Sequence, residues 1–306
     1  MRPSRRTGFV GNYQTLAGNL TMWKKIAVLL EMIKFQHTIF AMPFALMGAF
    51  LAKRGIPDFS VFFWVVIAMV GARTSAMTFN RIADRRFDAA NPRTTGRALA
   101  VGEVTLIQSW VLMILASFLF FFACFMLNPL ALRIAPLALG LTLFYSLTKR
   151  FTWLCHVVLG VALAISPLGG WVAASATLQG YPWVLSLAVL FWVAGFDCIY
   201  ACLDADFDRE AGLYSIPSIF GRKKGFRIAV LFHALAFLLF TLTGVFVRLN
   251  NWYFLGLAIT AAALFYQHLI VSPQDLSRIR QSFFSMNGII ALTLFGATCL
   301  ALATEG

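Results

Sequence analysis

An all-α integral membrane protein is the fold class this sequence predicts, and three observations predict it. Hydrophobic residues make up 60% of the 306-residue chain and charged residues only 12%, far from the mix of a soluble domain. Apolar runs long enough to span about 30 Å of hydrocarbon recur along its whole length. No run of strand-length segments with alternating polarity appears, which argues against a transmembrane β-barrel.

The runs follow one another in a regular order. The first covers residues 28–51 and ends before Lys53-Arg54. The second, 59–80, leads into the longest polar insertion, 81–104. The third (105–126) and fourth (129–147) are divided only at Asn128-Pro129, so a count of eight spans competes with nine. The fifth, 154–177, comes after Lys149-Arg150. The sixth, 182–203, opens into a second polar insertion, 204–225. The last three cover 226–248, 252–271 and 284–303. The expectation is a nine-transmembrane-helix bundle. Residues 1–25 are polar and read as a surface arm, and no low-complexity linker divides 26–306, which reads as one transmembrane domain. Lys34, Gln36 and His37 interrupt the first run near its inner end, and three polar groups together suggest a lining face.

Net charge is +13, and the basic residues are unevenly placed. If the N-terminus is inside, only Lys53, Arg54, Arg133 and Arg248 fall in outer segments. Lys34 and Arg73 lie within spans, and the rest are inside. That bias predicts a cytoplasmic N-terminus, in a membrane of the bacterial inner type. Orientation and contact with anionic lipid account for the positive charge, and a nucleic-acid partner is not needed.

Only 12 residues are Asp or Glu, and the aspartates gather in two segments. One is Asn80-Arg-Ile-Ala-Asp84-Arg-Arg-Phe-Asp88. The other is Asp204-Ala-Asp-Phe-Asp208, with Asp197 and Tyr200 just upstream. Each follows a long apolar run, and the charge bias places both on the cytoplasmic side. Spacings of four put Asn80, Asp84 and Asp88 on one helical stripe, with Arg73 deeper on the same stripe. Asp197, Asp204 and Asp208 share a second stripe, with Tyr200 beside them. An Arg at the depth of Arg73 costs at least about 2.5–3.5 kcal/mol, so it should face a polar cavity or an anion.

Carboxylates four apart repel unless a cation lies between them. Solvated helix ends with local ion pairs to Arg81, Arg85, Arg86 or Arg209 are the bland explanation. The functional explanation is divalent metal: Mg²⁺ takes one or two carboxylates together with phosphate oxygens. Two Asp pairs converging from different helices would hold Mg²⁺ and a diphosphate, and Lys149, Arg150 and Arg97 are available to bind phosphate. A diphosphate at a membrane surface whose tail needs hydrocarbon describes a polyprenyl diphosphate. The five cysteines form no Cys-x-x-Cys pattern and read as buried small apolar residues. His37, His156, His233 and His268 show no ligand spacing and read as structural.

These motifs resemble those of the UbiA superfamily of intramembrane aromatic prenyltransferases. Asn80-x-x-x-Asp84-x-x-x-Asp88 looks like its first aspartate motif. Asp197-x-x-Tyr200-Ala-x-x-Asp204-x-x-x-Asp208-x-x-x-Gly212-x-x-Ser215 looks like its second. Tyr145-Ser-Leu-Thr-Lys149-Arg150-Phe-Thr152 looks like the basic motif between them. Lys34-Phe-Gln-His-Thr-Ile-Phe-Ala-Met-Pro43 and Ser272-Pro-Gln-Asp-Leu-Ser-Arg278 resemble the bacterial 4-hydroxybenzoate polyprenyltransferase-like branch that includes MqnP-type menaquinone enzymes. Gln36 stands where that branch suggests Glu, and Ala100 where it suggests Pro.

The resemblance implies a UbiA-like bundle with a cytoplasmic polar cap. It implies Mg²⁺-dependent transfer of a polyprenyl group to an aromatic acceptor in ubiquinone or menaquinone biosynthesis, either 4-hydroxybenzoate or 1,4-dihydroxy-6-naphthoate. Asp84, Asp88, Asp204 and Asp208 are then expected to hold Mg²⁺ and diphosphate, with Asn80 as an added ligand. Lys149, Arg150 and Arg97 are expected on diphosphate or the acceptor carboxylate. Arg73 and Tyr200 are expected to position the acceptor, and Asp197 to orient Tyr200 or accept a proton. Haem or 1,4-dihydroxy-2-naphthoate are alternative acceptors. The alternative from another class is a cation or metabolite transporter, which would place its carboxylates at mid-membrane on broken helices.

Overall fold

The computed structural model describes Glu31 and residues 38–305, and among these every regular element is helical. Lys34, Gln36, His37 and the expected arm 1–25 lie outside the described residues. In chain order the helices are α1 (Thr38–Lys53), α2 (Phe59–Ala90), α3 (Ala98–Val101), α4 (Leu106–Leu127), α5 (Pro129–Thr148) and α6 (Cys155–Ser175). There follow α7 (Pro182–Ala201), α8 (Ala205–Glu210), α9 (Ile216–Phe220), α10 (Arg222–Val247) and α11 (Asn251–Leu269). The final rod joins α12 (Ile279–Gln281), a π-helical turn (Ser282–Met286) and α13 (Asn287–Ala303).

Seven of these segments are long and apolar enough to cross a membrane: α2, α4, α5, α6, α7, α10 and the rod Ile279–Ala303. Their outer faces carry Ile107, Ile114, Phe118, Phe125 and Leu238 in the open. An apolar girdle of that extent belongs in lipid, and the protein is an integral membrane protein. α2 has 32 residues, so it is about 48 Å long and overshoots a hydrocarbon layer of about 30 Å. Its last turns therefore stand clear of the lipid at one end of the bundle.

Local chemistry sets several boundaries. Thr105 and Gln108 form a capping box at the start of α4, satisfying free N–H groups at the helix end. Asn128 ends α4 and opens α5: its Oδ1 accepts from Ala131 N at 2.9 Å, and Pro129 occupies the first turn, where its missing N–H costs nothing. Asn128 Nδ2 also donates to Val172 O of α6 at 2.9 Å, fixing this turn to a third helix. The Asn128-Pro129 break therefore separates two helices and does not kink one.

The structure redraws three boundaries. α2 continues without interruption to Ala90, so the polar insertion starts at Asn91, ahead of Pro92, and the first acidic motif lies wholly on helix. α7 stops at Ala201, and a turn leads into α8 with Asp204 at its N-cap. Asp197 and Tyr200 thus sit on one helix and Asp208 on the next, instead of on a single stripe. The last apolar run begins at Ile279, five residues before its expected start, and passes through the π turn.

Two packed regions flank a central space. One gathers Phe44 and Met47 of α1, Trp192 of α7, Phe240 of α10, Tyr253 of α11 and Leu294 of α13. The other gathers Phe120 and Cys124 of α4, Ala135 and Leu139 of α5, and Val172 of α6. α1 and α6 cross at contact distance. A Cβ on Gly48 would overlap the Pro167 carbonyl, and one on Gly170 would overlap the Ala45 carbonyl. At the end of the bundle away from the acidic motifs, Arg54 donates to Val247 O at 2.9 Å and to Glu305 at 2.7 Å. Asn250 there donates to Ala301 O at 3.0 Å. Gly48→Val should lower stability by about 1–3 kcal/mol, read as a lower thermal midpoint in detergent; an unchanged midpoint would show that the crossing yields freely.

Candidate active site

Between the two packed regions lies a cavity of about 860 Å³. α2 contributes Val65, Met69, Ala72, Asn80, Asp84 and Asp88 to its wall, a spacing of three and four that keeps one face of the helix turned inward. Its deep part is walled by small and apolar residues, among them Ala131, Ala135, Ala138 and Gly169. Its other end is a ring of charge. Of the residues expected at the site, Arg73, Asn80, Asp84, Asp88, Arg97, Lys149, Asp197, Tyr200, Asp204 and Asp208 all line it. Arg150 does not: it reaches Asp84 from behind α2 and lines a separate groove.

Every carboxylate in the ring is held by a cation. Asn80 Nδ2 donates to Asp84 Oδ2 at 3.0 Å, and Arg150 Nη2 to Asp84 Oδ1 at 3.1 Å. Asp88 takes Arg97 at 2.5 Å and Arg81 at 3.4 Å. Asp204 is held by the guanidinium fork of Arg93, with Nε to Oδ1 at 2.8 Å, and by Asn91 Nδ2 at 2.9 Å. Asp208, almost fully buried, takes Lys149 Nζ at 3.3 Å. Except for Asn80 and Arg81, the partners come from a different segment than the acid they hold.

Charge and burial compete at these pairs. Burial would raise the Asp204 pKa, but the hydrogen bonds and charge of Arg93, with Asn91, hold it below the usual carboxylate range. Burial would lower the Lys149 pKa, but the Asp208 charge prevails and raises it above its ordinary value, so the ammonium stays charged.

Deeper in the cavity, Asp197 Oδ2 lies 2.7 Å from His156 Nδ1. His156 is fully buried, and its Nε2 accepts the Ile216 N–H at 3.2 Å. With Nε2 accepting, the proton sits on Nδ1 and is directed at Asp197. His156 is therefore the group that holds Asp197. Tyr200 instead receives Arg93 Nη1 on its hydroxyl at 3.4 Å, lies under that guanidinium at 5.4 Å, and packs against Phe283 with ring centroids 4.5 Å apart. Arg73 Nε is buried without a hydrogen-bond partner, an orphaned donor inside an otherwise apolar stretch of wall.

Sequence reasoning missed Arg93, Asn91, His156, Tyr145 and Phe283 as parts of this site. Arg93 and Asn91 follow the first motif directly, and Asn91-Pro92-Arg93 marks the turn that swings a cation back over the ring. Tyr145 was in view as the first residue of the basic motif. His156 and Phe283 gave no local signal.

The ring offers oxygen donors of the hard type that Mg²⁺ prefers. Among the described residues no three His, Cys, Asp or Glu side chains gather into a metal cage.

A ring of charge opening into an apolar chamber inside a helical membrane bundle has the layout of an intramembrane enzyme. The UbiA prenyltransferase family model matches residues 41–289, and the chain belongs to that family. It is a prenyltransferase. The chain is similar to 4-hydroxybenzoate octaprenyltransferase of Methylobacillus flagellatus, 31% identical over 84% of this chain and 89% of that one. It is likewise 31% identical to the Shewanella loihica protein of the same name, over 83% and 90% of the two chains. Among solved structures it is similar to a UbiA homologue from Aeropyrum pernix, with TM-score 0.79 and 35% identity over 86% of this chain and 97% of that one. A UbiA homologue from Archaeoglobus fulgidus, bound to GPP and Mg²⁺, shares the fold at TM-score 0.68 and 17% identity, covering 90% of this chain and 100% of that one.

The Asp204 pair has a definite pH dependence. Because its folded pKa is depressed, its contribution to stability is present above the unfolded value and is lost as pH falls through the folded one. Arg93→Gln should therefore lower the thermal midpoint at neutral pH and flatten the acid limb of its pH profile, because the contribution that acid removes is already lost. A profile superimposable on that of the unaltered protein would contradict the pairing.

Proposed function

We propose that this protein transfers a polyprenyl group from polyprenyl diphosphate to an aromatic acid in quinone biosynthesis, with Mg²⁺ as the required ion. The observation that carries the proposal is the joining, in one cavity, of a ring of carboxylates and cations to a long apolar chamber. A diphosphate fits the first part and a polyprenyl tail the second. The names of the relatives favour 4-hydroxybenzoate as acceptor; 1,4-dihydroxy-6-naphthoate, also a carboxylate on an electron-rich ring, is the alternative.

Asp84, Asp88, Asp204 and Asp208, with Asn80, are the residues that would hold Mg²⁺, and the GPP and Mg²⁺ bound to the Archaeoglobus homologue support this reading. The ion supplies charge neutralisation for the leaving diphosphate. Arg93, Arg97 and Lys149, now on the carboxylates, would turn to the phosphate oxygens as negative charge builds there, stabilising departure of the diphosphate. Tyr200, Tyr145 and Phe283 line the cavity, and a ring face turned to the reacting carbon would stabilise a developing allylic cation through its quadrupole. The apolar wall keeps water from that cation. Arg73, with its unpartnered Nε, would take the acceptor carboxylate. Asp197, held by His156, would receive the proton that the ring sheds once the new C–C bond has formed.

The same reading places α1 and α11 across the membrane as well, giving nine spans in a single domain after the N-terminal arm. Positive charge then puts the N-terminus and the ring of acids on the cytoplasmic face of a bacterial inner membrane.

Membranes carrying the protein should form a prenylated product from polyprenyl diphosphate, Mg²⁺ and 4-hydroxybenzoate or the dihydroxynaphthoate, identified by mass spectrometry. Absence of product from either acceptor, with movement of substrate across proteoliposomes, would favour the transporter. Asp84→Asn or Asp204→Asn should each cut turnover by at least about 100-fold with the thermal midpoint kept. Arg73→Met should raise KM for the aromatic acid far more than KM for the diphosphate; equal effects would remove Arg73 from the acceptor site.

A further inference from the structure

The flank of α2 facing away from the cavity forms a second concavity with α4 and α5. Phe79, Ile82, Leu106, Trp110 and Leu147 line its floor, and Arg85, Arg86 and Arg150 its rim. Phe79 and Trp110 meet edge to face at 6.4 Å. Trp110 and Leu106 are well exposed, as are Arg85 and Arg86. No acid lines this groove, and neither Arg85 nor Arg86 makes an ion pair among the described residues. Aromatic and aliphatic walls below a cationic rim, where a helix leaves the lipid, match the layering of a bilayer interface.

We propose that this groove binds an anionic phospholipid of the surrounding leaflet, its phosphate on Arg85, Arg86 and Arg150 and its chains along Phe79, Leu106 and Trp110. Arg85 and Arg86, exposed and with no ion pair among the described residues, together with Arg150, select against a zwitterionic headgroup, whose own cation they would repel.

Arg150 links the groove to the cavity. Its Nη2 donates to Ala83 O at 2.8 Å and to Asp84 Oδ1 at 3.1 Å, so one guanidinium forms part of the wall between the two. A phosphate in the groove competes with Asp84 for that guanidinium. As Arg150 turns outward, Asp84 loses a cationic partner and gains affinity for a divalent ion. The lipid thereby tunes the metal demand of the site without entering it. Lipid binding stands apart from the prenyl-transfer reading, whereas this coupling rests on it.

The test uses the full chain in nanodiscs of phosphatidylcholine alone or with phosphatidylglycerol. Native mass spectrometry after delipidation should find phosphatidylglycerol retained several-fold over phosphatidylcholine. Arg85→Gln with Arg86→Gln should lose that preference while keeping turnover in phosphatidylcholine within about twofold; Trp110→Ala should lower retention independently. Equal retention of the two lipids, or a preference unchanged in the double variant, would overturn the site whether or not any prenylated product forms. Phosphatidylglycerol should also lower the half-saturating Mg²⁺ concentration several-fold in the unaltered protein and not in the double variant. Retention with no change in Mg²⁺ dependence would overturn the coupling alone.

Discussion

Holding four carboxylates at the mouth of an apolar cavity is the constraint on which the rest of this structure depends. Unpaired, each would cost several kcal/mol to keep ionised away from water. The chain meets that demand by bringing Arg97 to Asp88, Arg93 and Asn91 to Asp204, Lys149 to Asp208 and Arg150 to Asp84. These pairs draw the segment after α2, the end of α5 and the start of α8 to one place. Such pairs are a weak source of net stability, because desolvation consumes much of the attraction. They do give the cap a definite arrangement, and they keep cations within reach of any phosphate that displaces them.

Much of this was legible in the sequence. The acids are scarce enough that their clustering carries meaning, and the apolar runs are long enough to mark most helices. What sequence could not supply was contact between distant positions. Arg93 meets Asp204 across 111 positions and His156 meets Asp197 across 41, with no periodicity to betray either. The length of α2 was hidden because its charged last turns resemble a loop, although Ala, Arg and Asp there are compatible with helix and only Pro92 forces a stop. The break after Ala201 was hidden for the opposite reason: Asp197, Asp204 and Asp208 keep helical spacing through a segment that turns. The π turn at Ser282–Met286 leaves no trace in an apolar pattern, yet it places Phe283 against Tyr200 and Phe196, as such turns do at functional sites.

The two faces of α2 divide the labour of the protein. The inward face grades from Val65 through Arg73 to Asp88, the order in which the proposed substrates would present a tail, a small acid and a diphosphate head. The outward face grades from Phe63 and Phe79 to Arg85 and Arg86, matching lipid tails and headgroups. On the proposed readings a single amphipathic grading would serve substrate on one side and bilayer on the other, and Arg150 is the only described side chain seen to bond Asp84 while lining the outer groove.

The bundle is fastened differently at its two ends. Away from the acids, the α1–α6 glycine crossing and the bonds of Arg54 and Asn250 to backbone carbonyls tie the helices, beside the Arg54–Glu305 ion pair. At the acids, the ties are ionic and exchangeable. A body so fastened resembles tweezers: the crossed end is the heel, and the ties that salt or an anionic ligand would exchange are all at the tips.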